Sequence, residues 1–207
     1  MTGCLFSLYL VTDRHRTVGR PLLGVIEAAL QGGVDAVQLR EKDLPAAELF
    51  DLACKVRELC RRHGARLLIN DRIDVALAAG ADGVHLPVDS FAPAEARRLL
   101  GLNAFIGVST HRLDEARAAV IGGADFIVFG PVFETPSKRP FGPPAGEAAL
   151  AGVTQKLALP VLAIGGITAD RARTVRLLGA SGVAVSSAIL QSDDPRAAAE
   201  RIRCSLR

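Results

Sequence analysis

Gln38, Arg40 and Lys42 stand two residues apart at the end of an apolar run that follows Gly32-Gly33-Val34-Asp35-Ala36. Side chains on a strand alternate between faces. An extended chain therefore puts an amide, a guanidinium and an ammonium in one row, with Val37, Leu39 and Glu41 on the other side. Such a row suits a phosphate or pyrophosphate. It equally describes a strand whose polar side faces water and pairs with surface carboxylates. The phosphate reading gains support because other apolar runs also end in polar residues: Asn70-Asp71-Arg72, Ser109-Thr110-His111, Gly165-Gly166 and Ser186-Ser187.

Each of these suggests a role. Gly165-Gly166 and Ser186-Ser187 suit a phosphate held by backbone N–H groups and a helix start. Asp71, with Asp89 farther along, suits Mg²⁺ bound through one or two carboxylates, with water and substrate phosphate completing the shell. Asp71 is alternatively an N-cap for a helix over Ile73–Ala79. Thr135-Pro136-Ser137-Lys138 offers two hydroxyls and a cation, as a lid over an anion or as a solvated loop. His85 reads as a core histidine. His111 stands past its run, where it can reach a substrate. Gln38, Arg40, Lys42 and Lys138 around a metal-bound pyrophosphate would stabilise its departure by neutralising charge, without a covalent nucleophile.

Something must bring these residues together, and the chain reads as eight strand–helix units. The strands are expected at Leu8–Thr12, Ala36–Glu41, Arg66–Asn70, Gly83–Leu86, Phe105–Ser109, Phe126–Gly130, Val161–Ile164 and Val183–Ser187. Helices are expected near Leu22–Gln31, Pro45–Arg62, Ile73–Ala79, Pro93–Leu100 and Leu113–Ile121, then up to about Leu157, and at Asp170–Leu178 and Pro195–Arg203. Leu49, Leu52, Val56 and Leu59 give the second helix an apolar stripe. A phrase recurs: Gly33-Val34-Asp35-Ala36-Val37, Gly80-Ala81-Asp82-Gly83-Val84, Gly123-Ala124-Asp125-Phe126-Ile127 and Gly179-Ala180-Ser181-Gly182-Val183. Its spacings of 47, 43 and 56 residues are roughly two units each, so it marks alternate units. Eight such units predict one α/β domain over residues 1–207, a (β/α)8 TIM barrel, ahead of a doubly wound open sheet. In a barrel the loops after the strands share one mouth. The single long irregular stretch is Pro131–Gly146, and long loops in compact domains are often functional.

Composition narrows the classes. The 207 residues carry a formal charge of +3, with one Tyr and no Trp. A base-stacking surface for nucleic acid is not expected. No apolar run approaches the ~20 residues of a membrane span. Met1–Ser7 lacks the charged and apolar regions of a signal peptide. Cys4, Cys54, Cys60 and Cys204 fit no zinc spacing and read as reduced thiols of a cytoplasmic protein.

The chain resembles the thiamine-phosphate synthase family and its relatives, the thiazole tautomerases. The resemblance runs through Leu8-Tyr9-Leu10-Val11-Thr12-Asp13, Val37-Gln38-Leu39-Arg40-Glu41-Lys42-Asp43, Leu68-Ile69-Asn70-Asp71-Arg72 and Gly80-Ala81-Asp82-Gly83-Val84-His85-Leu86. It continues through Ile106-Gly107-Val108-Ser109-Thr110-His111, Gly130-Pro131-Val132-Phe133 with Thr135-Pro136-Ser137-Lys138, Ala163-Ile164-Gly165-Gly166-Ile167-Thr168 and Val185-Ser186-Ser187-Ala188-Ile189. It implies a TIM barrel that joins hydroxymethylpyrimidine diphosphate to a thiazole phosphate. Pyrophosphate leaves a methylene of carbocation character, and the thiazole nitrogen attacks that carbon. By the same resemblance Gln38, Arg40, Lys42, Asn70, Ser109 and Lys138 hold the pyrimidine diphosphate, with Arg40, Ser109 and Lys138 assigned to catalysis. Thr135, Ser137, Gly166, Ser186 and Ser187 hold the thiazole phosphate, and Asp71 ligates Mg²⁺.

One stretch departs from the pattern. After Gly-Val-His-Leu the synthases carry Gly-Gln-(Glu/Asp)-Asp, whose last residue is a metal ligand. Here the run is Pro87-Val88-Asp89-Ser90, so the nearest acid, Asp89, comes one residue early. The departure keeps two alternatives open: a tautomerase in which His111 moves a proton, and a non-catalytic sensor of phosphate ligands on the same barrel. Expected partners are small phosphorylated substrates, with no nucleic acid and no membrane, and the chain is compatible with a homo-oligomer.

Overall fold

The computed structural model describes residues 6–135 and 142–207. Among these, eight parallel strands close into a barrel in chain order: β1 Leu8–Val11, β2 Ala36–Leu39, β3 Arg66–Asn70, β4 Gly83–Leu86, β5 Phe105–Thr110, β6 Phe126–Phe129, β7 Val161–Ile164 and β8 Gly182–Val185. Closure is made by β8 on β1, with Leu8 opposite Val183 and Leu10 opposite Val185. The outer ring is α1 Leu22–Gln31, α2 Ala46–Arg62, α3 Ile73–Ala79, α4 Pro93–Leu100, α5 Leu113–Ile121, α6 Gly146–Lys156, α7 Ala169–Leu177, α8 Ser187–Leu190 and α9 Pro195–Ser205.

The pleat divides each strand between two cores. Val37, Leu39, Leu67, Ile69, Ile127 and Val183 face the helices, whose apolar stripes cover them. Tyr9, Ala36, Leu68, Phe126, Leu162 and Ala184 fill the barrel interior. Both faces of the strands are therefore apolar, which is why they read as continuous hydrophobic runs rather than alternating ones.

The repeated phrase bolts strands together in pairs. The first glycine of each copy, Gly33, Gly80, Gly123 and Gly179, has positive φ after a helix, the usual left-handed helix ending. The backbone N–H groups of Asp35, Asp82, Asp125 and Ser181 then donate to Leu8, Leu67, Ile106 and Val161 at the starts of the odd strands. The three carboxylates reciprocate: Asp35 accepts from Leu8 N (2.9 Å), Asp82 from Leu67 N (2.9 Å) and Asp125 from Ile106 N (2.7 Å). Arg203, Arg66 and Arg97 pair with them in turn. These acids belong to the closed end of the barrel, where a barrel keeps stability rather than chemistry.

Two expected strands end two residues early. The strand Ala36–Glu41 stops at Leu39, because Arg40 N donates to the Thr12 side chain (2.9 Å) instead of continuing the ladder. The strand Val183–Ser187 stops at Val185, and Ser187 opens the short helix α8. Asp71 does not cap α3. Arg72 holds the cap position, and no side chain there accepts a cap hydrogen bond.

Candidate active site

The open end of the barrel holds a cavity of about 460 Å³ lined by residues following every strand. Gln38, Arg40 and Lys42 come from β2, Asn70 from β3, Ser109 and His111 from β5, Thr135 from the loop after β6, Gly166 from β7, and Ser186 and Ser187 from β8. Asp89, from the loop after β4, also lines it. Ser137 and Lys138 lie outside the described residues.

The row on β2 is built in two ways. Gln38 is buried, and its amide donates to the Tyr9 hydroxyl (3.3 Å) in the barrel interior. Tyr9 is itself fully buried, which pushes its phenol well above the ordinary range. Arg40 and Lys42 lie beyond the strand and face the cavity. Among the described residues neither makes a salt bridge, whereas Arg14, Arg16, Arg66, Arg97 and Arg203 each do. Two cations without carboxylate partners in a concave site favour an anionic ligand.

Beneath them sits His85, fully buried against Tyr9 and Phe126. Burial, helped by the charge of Arg40, pulls its pKa down to about 3, so the ring is neutral at physiological pH. Its Nε2 lies 2.8 Å from Ser109 Oγ, and its buried Nδ1 has no hydrogen-bond partner. An orphan lone pair costs less than an orphan N–H, which assigns the proton to Nε2. Ser109 then accepts from His85, and its own hydroxyl proton is left to point at a ligand.

His111 is held from two sides: its N–H donates to Glu115 (2.7 Å) and its Nδ1 bonds the Gly130 carbonyl. A carbonyl only accepts, so Nδ1 carries the proton and Nε2 is the basic atom of the neutral ring.

At β7 both Gly165 and Gly166 have positive φ, and the loop after β6 packs hard against them. A Cβ on Gly165 would lie 2.5 Å from Pro131 Cβ, and one on Gly166 would lie 2.8 Å from the Glu134 carbonyl. The glycine pair is therefore required by packing as well as open to a phosphate.

Asp71 does not join the lining of the cavity. It sits exposed at the rim with φ 64°, and its carboxylate accepts a hydrogen bond from the Ser90 hydroxyl. Among the described residues no group of three or more His, Cys, Asp or Glu side chains gathers to hold a metal. Asp71 with Ser90, and Asp89 nearby in the chain, form a sparse oxygen donor set. It fits a Mg²⁺ ion that takes most of its shell from water and substrate phosphate, not a cage made of protein alone.

Thr12 and Asp13, which end the first apolar run, line the cavity as well; sequence reasoning overlooked Arg16, which also lines it, and gave no role to Glu41, which is buried beside it. Asp13 accepts from His15 N (3.1 Å) and starts a 3-10 turn, Arg14–Arg16, that swings Arg16 to the mouth. An Asp immediately before a run of basic residues is the signal that identifies it.

A family model described as thiamine monophosphate synthase matches residues 8–189. A relative from Geobacter sulfurreducens, named provisionally as a thiamine-phosphate synthase, is 56% identical over 97% of this chain and 93% of its own length. The thiamine-phosphate synthase of Chloroflexus aurantiacus is 45% identical over 96% of this chain and 91% of its own. Among solved structures, thiamine phosphate pyrophosphorylase from Pyrococcus furiosus superposes with a TM-score of 0.89 at 36% identity, covering 97% of this chain and 95% of that one.

Proposed function

The chain belongs to the thiamine monophosphate synthase family, and from that premise we propose that it condenses hydroxymethylpyrimidine diphosphate with a thiazole phosphate, giving thiamine phosphate and pyrophosphate. The observation that carries this reading is the pair Arg40 and Lys42, turned into the cavity without carboxylate partners. A diphosphate supplies the missing charge. The family resemblance assigns Lys138 as a further cation for the diphosphate.

The residues divide the work by position. Arg40, Lys42 and Asn70 bind the diphosphate and stabilise the charge that grows on it as the carbon–oxygen bond breaks. Gln38 and Ser109 orient the pyrimidine, with Ser109 donating its proton to a ring acceptor because His85 occupies its lone pair. Gly166, Ser186 and Ser187, with Thr135, take the thiazole phosphate, a role the family resemblance extends to Ser137. The thiazole nitrogen is thereby aimed at the methylene carbon, and closeness and orientation replace a covalent intermediate. Asp71, Ser90 and Asp89 would hold Mg²⁺, which when bound neutralises the departing pyrophosphate.

A second reading has its own observation. His111 presents Nε2 as its free ring nitrogen because Nδ1 is tied to Gly130, and a ring nitrogen at that spot suits proton transfer on the thiazole, as in a tautomerase.

One experiment separates them. The protein is mixed with both substrates and Mg²⁺, and thiamine phosphate and pyrophosphate are followed. Product that disappears with EDTA and in Asp71→Ala supports the synthase. Absence of product, with thiazole proton exchange lost in His111→Ala, replaces it by the tautomerase.

A further inference from the structure

Glu41 is the only buried carboxylate among the described residues, and it sits at the rim of a cavity lined with cations. A buried charge must be compensated. Here Thr12 Oγ1 donates to Oε1 at 2.6 Å, and Arg14 supplies its N–H at 3.0 Å and Nη1 at 3.3 Å to Oε2. Thr12 is fully buried. Its single hydroxyl proton is committed to Glu41, so its oxygen can only accept from anything else. What it accepts is the N–H of Arg40, at 2.9 Å. The result is a directed chain from Arg40 N–H through the Thr12 hydroxyl to Glu41, each bond polarising the next. Arg14 then reaches past Glu41 to Asp43, with Nη1 and Nη2 at 2.6 and 2.7 Å. Lys42 lies between two residues that are both pinned.

Resting on the synthase reading, we infer that Thr12 and Glu41 are positioning residues that fix Arg40 and Lys42 for the diphosphate. Arg40 is the first residue past β2, where the ladder gives its N–H no strand partner. Without the Thr12 hydroxyl the turn carrying both cations loses the attachment nearest Arg40, leaving only the Arg14 bonds to Glu41 and Asp43 to tie it to the segment after β1. Neither Thr12 nor Glu41 needs to touch the substrate. They act by removing the freedom that Arg40 and Lys42 would otherwise lose on binding.

Thr12→Val keeps the shape and removes the hydroxyl. Binding of inorganic pyrophosphate by calorimetry is expected to weaken about tenfold, the size of one lost positioning hydrogen bond. KM for the pyrimidine diphosphate should rise in step, while KM for the thiazole phosphate stays put. Thr12→Ser should restore both to within about threefold. Glu41→Gln retains an acceptor for Thr12 and should fall between the two. A role confined to folding predicts a different pattern: a lower melting temperature and a smaller active fraction, with both KM values unchanged. That pattern, or a Thr12→Val protein that binds pyrophosphate like the parent, overturns the inference. A parent protein that binds no pyrophosphate and forms no product overturns the synthase reading as well.

Discussion

Gly107 lies on the inner face of β5, opposite His85 and two residues before Ser109. A Cβ added there would meet the Phe126 ring at 2.2 Å, with two more ring carbons at 2.6 and 2.7 Å, whereas ordinary contact begins at 3.4 Å. The ring would have to retreat by about 1 Å. It has nowhere to go, because Phe6 (5.0 Å between centroids), Tyr9 (5.8 Å) and His85 (6.0 Å) already surround it. Overpacking of a closed core costs about 1–3 kcal/mol, and the crowding on three sides places Gly107→Ala at about 2–3 kcal/mol. For a chain of this size that lowers the melting temperature by about 4–12 °C. The displacement also has a direction. Tyr9 is the partner of Gln38 and His85 is the partner of Ser109, so KM for the pyrimidine diphosphate should rise with the loss of stability. Thermal and urea unfolding, with initial rates for each substrate, measure both effects. Gly107→Ala combined with Phe126→Leu provides space and should recover part of the lost stability. A single variant that melts within about 1 °C of the parent would show that the barrel interior is not packed as described.

Three other outcomes are expected. His85 is held near pH 3 in the fold against 6.5 when unfolded, so between those values the unfolded chain binds more protons. Its contribution to stability is full above about pH 6.5 and is lost as the pH falls toward 3, by up to about 1.4 kcal/mol per pH unit. Urea unfolding across this range should give His85→Asn a shallower slope than the parent, and equal slopes would refute it. Asp125→Ala leaves the Ile106 N–H without its carboxylate at the closed end of the barrel. It should lose about 2 kcal/mol of stability with both KM values unchanged, and a shift in either KM would contradict its purely structural placement. If Asp89 substitutes for the missing acid, Asp89→Ala should raise the Mg²⁺ concentration needed for half-maximal turnover more than Ser90→Ala does, and equal small effects would remove Asp89 from the metal site.

Strand positions could be read from the sequence because burial on both faces makes most strands nearly continuous apolar runs. The ends were harder to place. β2 stops two residues before its hydrophobic pattern suggests, since a side chain from the neighbouring strand captures the next N–H, and no local pattern announces a bond made to a residue 28 positions earlier. For the same reason Glu41 read as the back of an alternating strand. Alternation puts it opposite Arg40, and only the fold shows it buried beneath Thr12 and Arg14. Asp71 was legible as a polar residue at a strand end, but not as a rim residue in left-handed backbone tied to Ser90.

The two ends of the barrel differ in how they are written. At the closed end every pair of strands faces the same problem, an odd strand whose first N–H groups need an acceptor. The same Gly-x-Asp solution recurs before β2, β4 and β6. Before β8 the phrase carries Ser181 instead, and only the backbone bond to Val161 survives. At the open end the strands deliver different combinations of amide, cationic, hydroxyl, imidazole and glycine backbone groups. Repetition in this chain therefore marks what the architecture requires. The functional residues stand where the repeat breaks off into dissimilar polar side chains, and for that reason the row Gln38, Arg40 and Lys42 is visible without coordinates. The buried pair Thr12 and Glu41, which holds that row in place, follows neither pattern: its geometry arises only when two strands 28 residues apart come side by side.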